Sequence, residues 1–188
     1  MNIMKYGYLL GLLILAIIQW VVPGRIIKQK NEVLHKGQAY KFKTEPVDPS
    51  HPFKGKYITL NFAENSFTDT TNRNLRSDDN VFIILGTDQR GYAIIRDLTL
   101  KEPMNNNSYV KAIVSYTSRE NDSITVHIDY PFDEYYMDEY KAPKAETIYR
   151  ESNRDTMNIT YALVKIWEGD AVIENVFIND MPIKALIK

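Results

Sequence analysis

The chain has 188 residues, 44% hydrophobic, 25% charged and 12% aromatic, and 23 Lys and Arg against 24 Asp and Glu leave a formal charge of -1. That length fits one domain with a tail, and the near-neutral balance excludes a strongly basic nucleic-acid binder and an acidic disordered chain. With no cysteine, disulfides, thiol catalysis and cysteine-ligated metals are excluded, and His35, His51 and His127 are too few for a histidine-rich metal centre.

The first element is apolar. Tyr6 to Gly24 holds 19 residues without a charge. As a helix this spans about 28 Å, close to the ~30 Å hydrocarbon core of a bilayer. Its Leu, Ile and Val side chains between Leu9 and Val22 favour insertion by roughly 3–6 kcal/mol at most. Tyr6 and Tyr8 at one end and Trp20 at the other match the aromatic belts of the two interfaces. Bulky residues from Ile17 to Val22 stand where signal peptidase needs small ones. An uncleaved anchor over residues 1–24, touching lipid through residues 6–24, is therefore expected; a cleaved signal or a buried core helix are the alternatives. The basic run Arg25 to His35 is expected to form a juxtamembrane helix or linker over residues 25–36. Lys5 lies on one side of the span, and Arg25, Lys28, Lys30 and Lys36 lie on the other. That count by itself puts the large domain in the cytoplasm.

From Gly37 to Lys188 the pattern turns strand-like. Lys56 to Phe62 alternates, with Ile58, Leu60 and Phe62 on one face. Val81 to Leu85, Gly91 to Ile95, Tyr109 to Tyr116 and Ser123 to Asp129 continue the series. In the last of these Ile124, Val126 and Ile128 share a face, and His127 points to solvent. Ala142 to Glu151 reads as a helix. Thr160 to Trp167 and Ala171 to Ile178 form a hairpin around Glu168-Gly169-Asp170, and Asn179 to Pro182 turns toward a last apolar piece. Asp69 to Asn80 and Met104 to Ser108 read as loops. The expected fold is mainly β, an antiparallel sandwich or partly open barrel with one N-terminal transmembrane helix.

Two stretches have the residues for chemistry. Glu45 to Tyr57 carries prolines at 46, 49 and 52 and then Gly55, a stiff loop presenting Asp48, His51, Lys54 and Lys56. Asp48 with His51 lacks the nucleophile or third ligand that a triad or metal site requires. Asp129 to Tyr140 packs five acids and five aromatics into twelve residues. Tyr135, Tyr136, Asp138 and Glu139 could form a ligand surface by stacking and hydrogen bonding, but core packing is the commoner role of such aromatics. No phosphate-binding glycine loop, G-x-S-x-G or H-E-x-x-H occurs. No catalytic, cofactor-binding or metal residue is assigned, and no cofactor is expected.

The block Pro46, Asp48, Pro49, Pro52, Gly55, Tyr57, Leu60 and Phe62 resembles the signature of the GDYXXLXY family. Gly55, Tyr57 and Leu60 match the motif, Phe62 replaces its last tyrosine, and Lys56 stands where the motif has an aspartate. The resemblance extends over nearly the whole chain. It implies a bacterial single-span protein without an assigned activity, anchored in the inner membrane with its β-rich domain on the periplasmic side. It also implies genes often placed beside those of multi-pass membrane proteins. That orientation opposes the Lys and Arg count and is the expectation adopted. The expected function is a non-enzymatic, membrane-anchored envelope protein, an accessory or partner of a multi-pass membrane protein, with no nucleic-acid role. The alternative is an extracytoplasmic binding module for a small ligand, glycan or peptide. A hydrolase would have only Asp133, Glu134, Asp138 and Glu139 as its acid and base pool.

Overall fold

A computed structural model describes residues 3–46, 57–71, 73–104, 108–120 and 123–187. One helix, α1 (Ile3–Lys36), runs unbroken through the apolar segment and the basic run behind it. Leu13, Ile17 and Trp20 are more than half exposed, and the apolar window of the span Leu10–Lys36, of mean hydropathy 2.0, has none of its residues buried in the protein. Such a helix fits association with a lipid bilayer. Pro23 removes one amide from the helix ladder where the apolar run ends.

The C-terminal third of α1 is docked on the β domain. Val33 is 1% exposed, Gln29 donates from Nε2 to the Asp170 carboxylate, and Lys30 donates from Nζ to the Ala171 carbonyl at 3.2 Å. The Gly37 amide then closes the helix on the Val33 carbonyl at 2.8 Å.

The strands are β1 (Gln38–Glu45), β2 (Tyr57–Thr59), β3 (Asn61–Phe62), β4 (Ser66–Asp69), β5 (Asn80–Thr87) and β6 (Ala93–Thr99). They continue with β7 (Tyr109–Glu120), β8 (Ser123–Asp129), β9 (Glu134–Tyr136), β10 (Thr160–Trp167), β11 (Asp170–Ile178) and β12 (Met181–Pro182). One antiparallel sheet has the order β12-β11-β10-β1-β3, a second β4-β8-β7-β5-β6, and β2 pairs with β9 as a ribbon. Single parallel bridges, Lys41 to Tyr92 and Val110 to Gly169, tie the two large sheets together, and the whole is barrel-like and nearly closed. Closure removes most exposed strand edges, the usual liability of a small β domain.

Alternation along each strand supplies the core. Tyr40 and Phe42 of β1, Val81 and Ile83 of β5, Val110 and Val114 of β7, and Val164 and Ile166 of β10 are all buried in one cluster. Phe42, Phe62, Tyr130 and Phe132 pack in mutual contact at centroid distances between 5.0 and 6.0 Å. Each such pair adds about 0.5–1.5 kcal/mol beyond its area burial. The two-residue loop Glu168-Gly169, with φ of 50 and 83, makes the tight hairpin between β10 and β11. Helix α2 (Ala142–Arg154) buries Ala142, Ala145 and Tyr149, and a short α3 (Ile183–Leu186) closes the chain.

The expected strand from Lys56 to Phe62 is divided. Leu60 leaves the ladder, and its amide donates to the Asp133 carbonyl at 2.7 Å, so β2 pairs with β9 and β3 with β1. The expected face survives this break: Ile58, Leu60 and Phe62 are 0%, 3% and 3% exposed. His127 departs from the expectation of simple exposure, since its ring is half-buried and stacks on Tyr116 at 4.1 Å.

Candidate functional site

Of the motif residues, Asp48, Pro49, Pro52 and Gly55 lie outside the described residues. Pro46 is exposed at the end of β1. Tyr57 is half-buried, with its ring 5.3 Å from that of its cross-strand neighbour Tyr136. Leu60 and Phe62 are core. The described part of the motif thus serves packing and strand pairing.

The aromatic and acidic block divides in the same way. The Tyr130 hydroxyl donates to the Glu64 carbonyl at 2.8 Å, and burial pushes its phenol well above the usual range. Tyr135, 4% exposed, donates to Asn175 Oδ1 at 3.1 Å and lies under the Lys184 ammonium. Tyr136 is 64% exposed and donates to Glu134; this hydrogen bond, with smaller help from burial, raises its phenol pKa. Asp138 accepts from the Tyr140 amide at 3.0 Å, and its carbonyl accepts from Lys141 and Ala142 at the start of α2. Glu139 is exposed. The four residues of the expected ligand surface therefore do not converge: Tyr135 points into the core, Tyr136 lies on the outside of the β2–β9 ribbon, and Asp138 shapes a turn. Among the described residues, no group of three or more His, Asp or Glu is placed to hold a metal ion.

Two polar clusters escaped sequence reasoning because their members are far apart in the chain or look like ordinary loop residues. The Thr44 hydroxyl donates to Thr160 Oγ1 at 2.7 Å, Thr160 to Asn153 Oδ1, and Asn153 Nδ2 to the Tyr149 hydroxyl at 3.3 Å. This chain pins α2 across β1 and β10, and burial pushes the Tyr149 phenol far up. At the end of β4, where the chain turns into the next loop, Asp69 is 2% exposed. It accepts from the Thr71 amide at 2.9 Å, the Thr71 hydroxyl at 2.6 Å and the Arg73 amide at 2.8 Å. Burial alone would raise its pKa, but these hydrogen bonds and the Arg73 charge together hold it below the ordinary value. Arg73 also reaches Asp97 at 2.9 Å. The Thr44 cluster is internally satisfied scaffolding, whereas in the Asp69 cluster Arg73 Nη1, 3.8 Å from Asp69 Oδ1, is buried without a hydrogen-bond partner.

The place where the fold concentrates distinctive geometry is the junction of α1 with the β10–β11 hairpin. A recess of about 320 Å³ opens there between Gln29 and Val33 on the helix and Glu102, Tyr109, Trp167 and Asp170 on the domain. That is the low end of the size range of small-molecule sites. The buried Tyr109 hydroxyl donates to Glu102, and burial together with that carboxylate pushes its pKa up to about 12. Gly169 admits the close approach of this wall: a Cβ there would lie 2.7 Å from the Tyr109 ring and 2.9 Å from Lys111 Cε. The recess lies where α1 meets the folded domain, beside the Gln29–Asp170 hydrogen bond and the buried Val33.

A family model described as GDYXXLXY protein matches residues 19–176, from within α1 into β11. No curated protein and no solved structure matches the chain.

Proposed function

Because the chain belongs to the GDYXXLXY family, a family of unknown function, we propose that it is a non-enzymatic, single-pass protein of the inner membrane. In this reading its β domain stands on the periplasmic side as an accessory or docking partner of a multi-pass membrane protein. One observation carries the reading: α1 continues without a break from the exposed apolar span to a docked end at Val33, Gln29 and Lys30. A domain that only needed tethering would be served by a flexible linker. A continuous strut instead fixes the height and rotation of the domain above the bilayer, which suits presenting one face to a neighbour in the same membrane.

Affinity recovery of the protein from gently solubilised membranes should return a specific multi-pass protein. Recovery of the protein alone at several expression levels would overturn the partnership. Orientation is tested separately, with protease acting on a C-terminal tag in intact spheroplasts. Digestion there supports the periplasmic placement, and protection until lysis reverses it.

A second reading, a binding module for a small ligand, glycan or peptide, draws on the exposed rings of Tyr136 and Tyr140, 64% and 94% exposed. A ligand at 100-fold its Kd stabilises a protein by about 2.7 kcal/mol. A thermal-shift screen of envelope glycans and peptides therefore tests this reading directly.

A further inference from the structure

The connection after β6 begins Leu100-Lys101-Glu102-Pro103-Met104, and its apolar side chains are bare: Leu100 is 53% exposed and Met104 99%. Isolated exposed hydrophobics are ordinary; position sets this pair apart. The Thr99 hydroxyl binds both the amide and the carbonyl of Lys101 at 3.2 Å, which holds the start of the connection in a defined turn. Glu102, between the two apolar residues, lines the same recess as Gln29 and Val33 of α1. Its carboxylate is engaged by the Tyr109 hydroxyl and lies 3.9 Å from Lys111 Nζ, so its charge is not left bare beside the helix.

Glu102 therefore places the middle of the connection beside the docked part of α1 that follows the apolar span. The helix wall of that recess runs from Gln29 to Val33, five to nine residues past Gly24, about 8–14 Å along the axis, so it starts at the outer edge of the roughly 5–8 Å headgroup layer of a bilayer and extends beyond it. Ile26 and Ile27, 54% and 67% exposed, carry apolar surface past Arg25 toward this recess. Arg25 and Lys28 add charge that anionic headgroups attract.

We propose that residues 100–104 form a second lipid contact, with Leu100 and Met104 entering the interfacial layer of the same bilayer that holds α1. The occupant follows from continuity: the span brings a bilayer to this end of the domain whatever protein stands alongside. Lys101 is placed to keep its ammonium among headgroups as its neighbours enter. Two lipid contacts, one through the helix and one through this connection, would set the tilt of the domain as well as its height. The inference rests on the anchored reading above.

The absence of cysteine makes the test clean. Single-cysteine variants Met104→Cys, Ile17→Cys and Met157→Cys of the full chain are labelled with an environment-sensitive fluorophore. They are reconstituted in phosphatidylcholine–phosphatidylglycerol vesicles containing a lipid spin-labelled high on its acyl chain. Met157 is 88% exposed, just before β10 at the end remote from α1, and serves as the aqueous reference. The probe at Met104→Cys should lose emission roughly twofold to the lipid quencher and be shielded from aqueous iodide. Met157→Cys should answer to iodide alone. If Ile17→Cys is lipid-quenched but Met104→Cys is open to iodide, the second contact is refuted with the anchor intact. If Ile17→Cys escapes the lipid quencher, the anchored reading falls and this proposal with it.

Discussion

Gly37 is where helix becomes sheet. A Cβ at that position would lie 2.3 Å from the Val33 carbonyl oxygen and 3.0 Å from the Ile166 amide, both backbone atoms that cannot swing aside. Gly37→Ala should therefore destabilise the domain by about 1–3 kcal/mol, read by urea denaturation. Tyr135 and Tyr136, adjacent in sequence, should respond oppositely to truncation. Tyr135→Ala empties a buried, hydrogen-bonded site and should cost about 3–5 kcal/mol. Tyr136→Ala removes an exposed ring and should cost under about 1 kcal/mol. Asp69 makes stability depend on acid. Its pKa in the folded chain lies below the unfolded value, so its contribution is complete above about pH 4–5 and is lost as pH falls through the folded value. Asp69→Asn should lower stability at pH 7 by about 1–3 kcal/mol and flatten the acid limb of the stability curve.

At the scale of elements, α1 and α2 are held by different physics. Val33 is the apolar plug of the α1 junction, while the Gln29–Asp170 bond is exposed and worth little by itself. Val33→Ala should cost about 1–3 kcal/mol, whereas Gln29→Ala should change the melting transition hardly at all. The helix α2 buries Ala142, Ala145 and Tyr149 and packs Ile148 against the core, and its docking is reinforced by the buried chain through Thr44, Thr160 and Asn153. Thr160→Val leaves two of its partners unsatisfied and should cost about 1–3 kcal/mol. Adding Thr44→Val should cost less than a second independent loss, a coupling that a double-mutant cycle measures. Element types were legible where periodicity is local: β8, β10 and the hairpin that follows were readable from alternation and from Glu168-Gly169. The division of the Tyr57 to Phe62 run was not, because it depends on a carbonyl at Asp133, far along the chain.

Across the whole molecule, an apolar helix of membrane-spanning length, a mainly β domain behind it and membership of one family can all be read from the chain before it folds. These follow from hydrophobic period, composition and a contiguous motif, all of which are local properties of the chain. Folding is what docks the basic run on the domain, closes the two sheets on each other through Lys41 with Tyr92 and Val110 with Gly169, and makes the aromatic block chiefly core. A tyrosine in a strand reads alike whether it faces a neighbour or water. Which it faces is settled when distant strands pair and the apolar area of the entire chain is buried together.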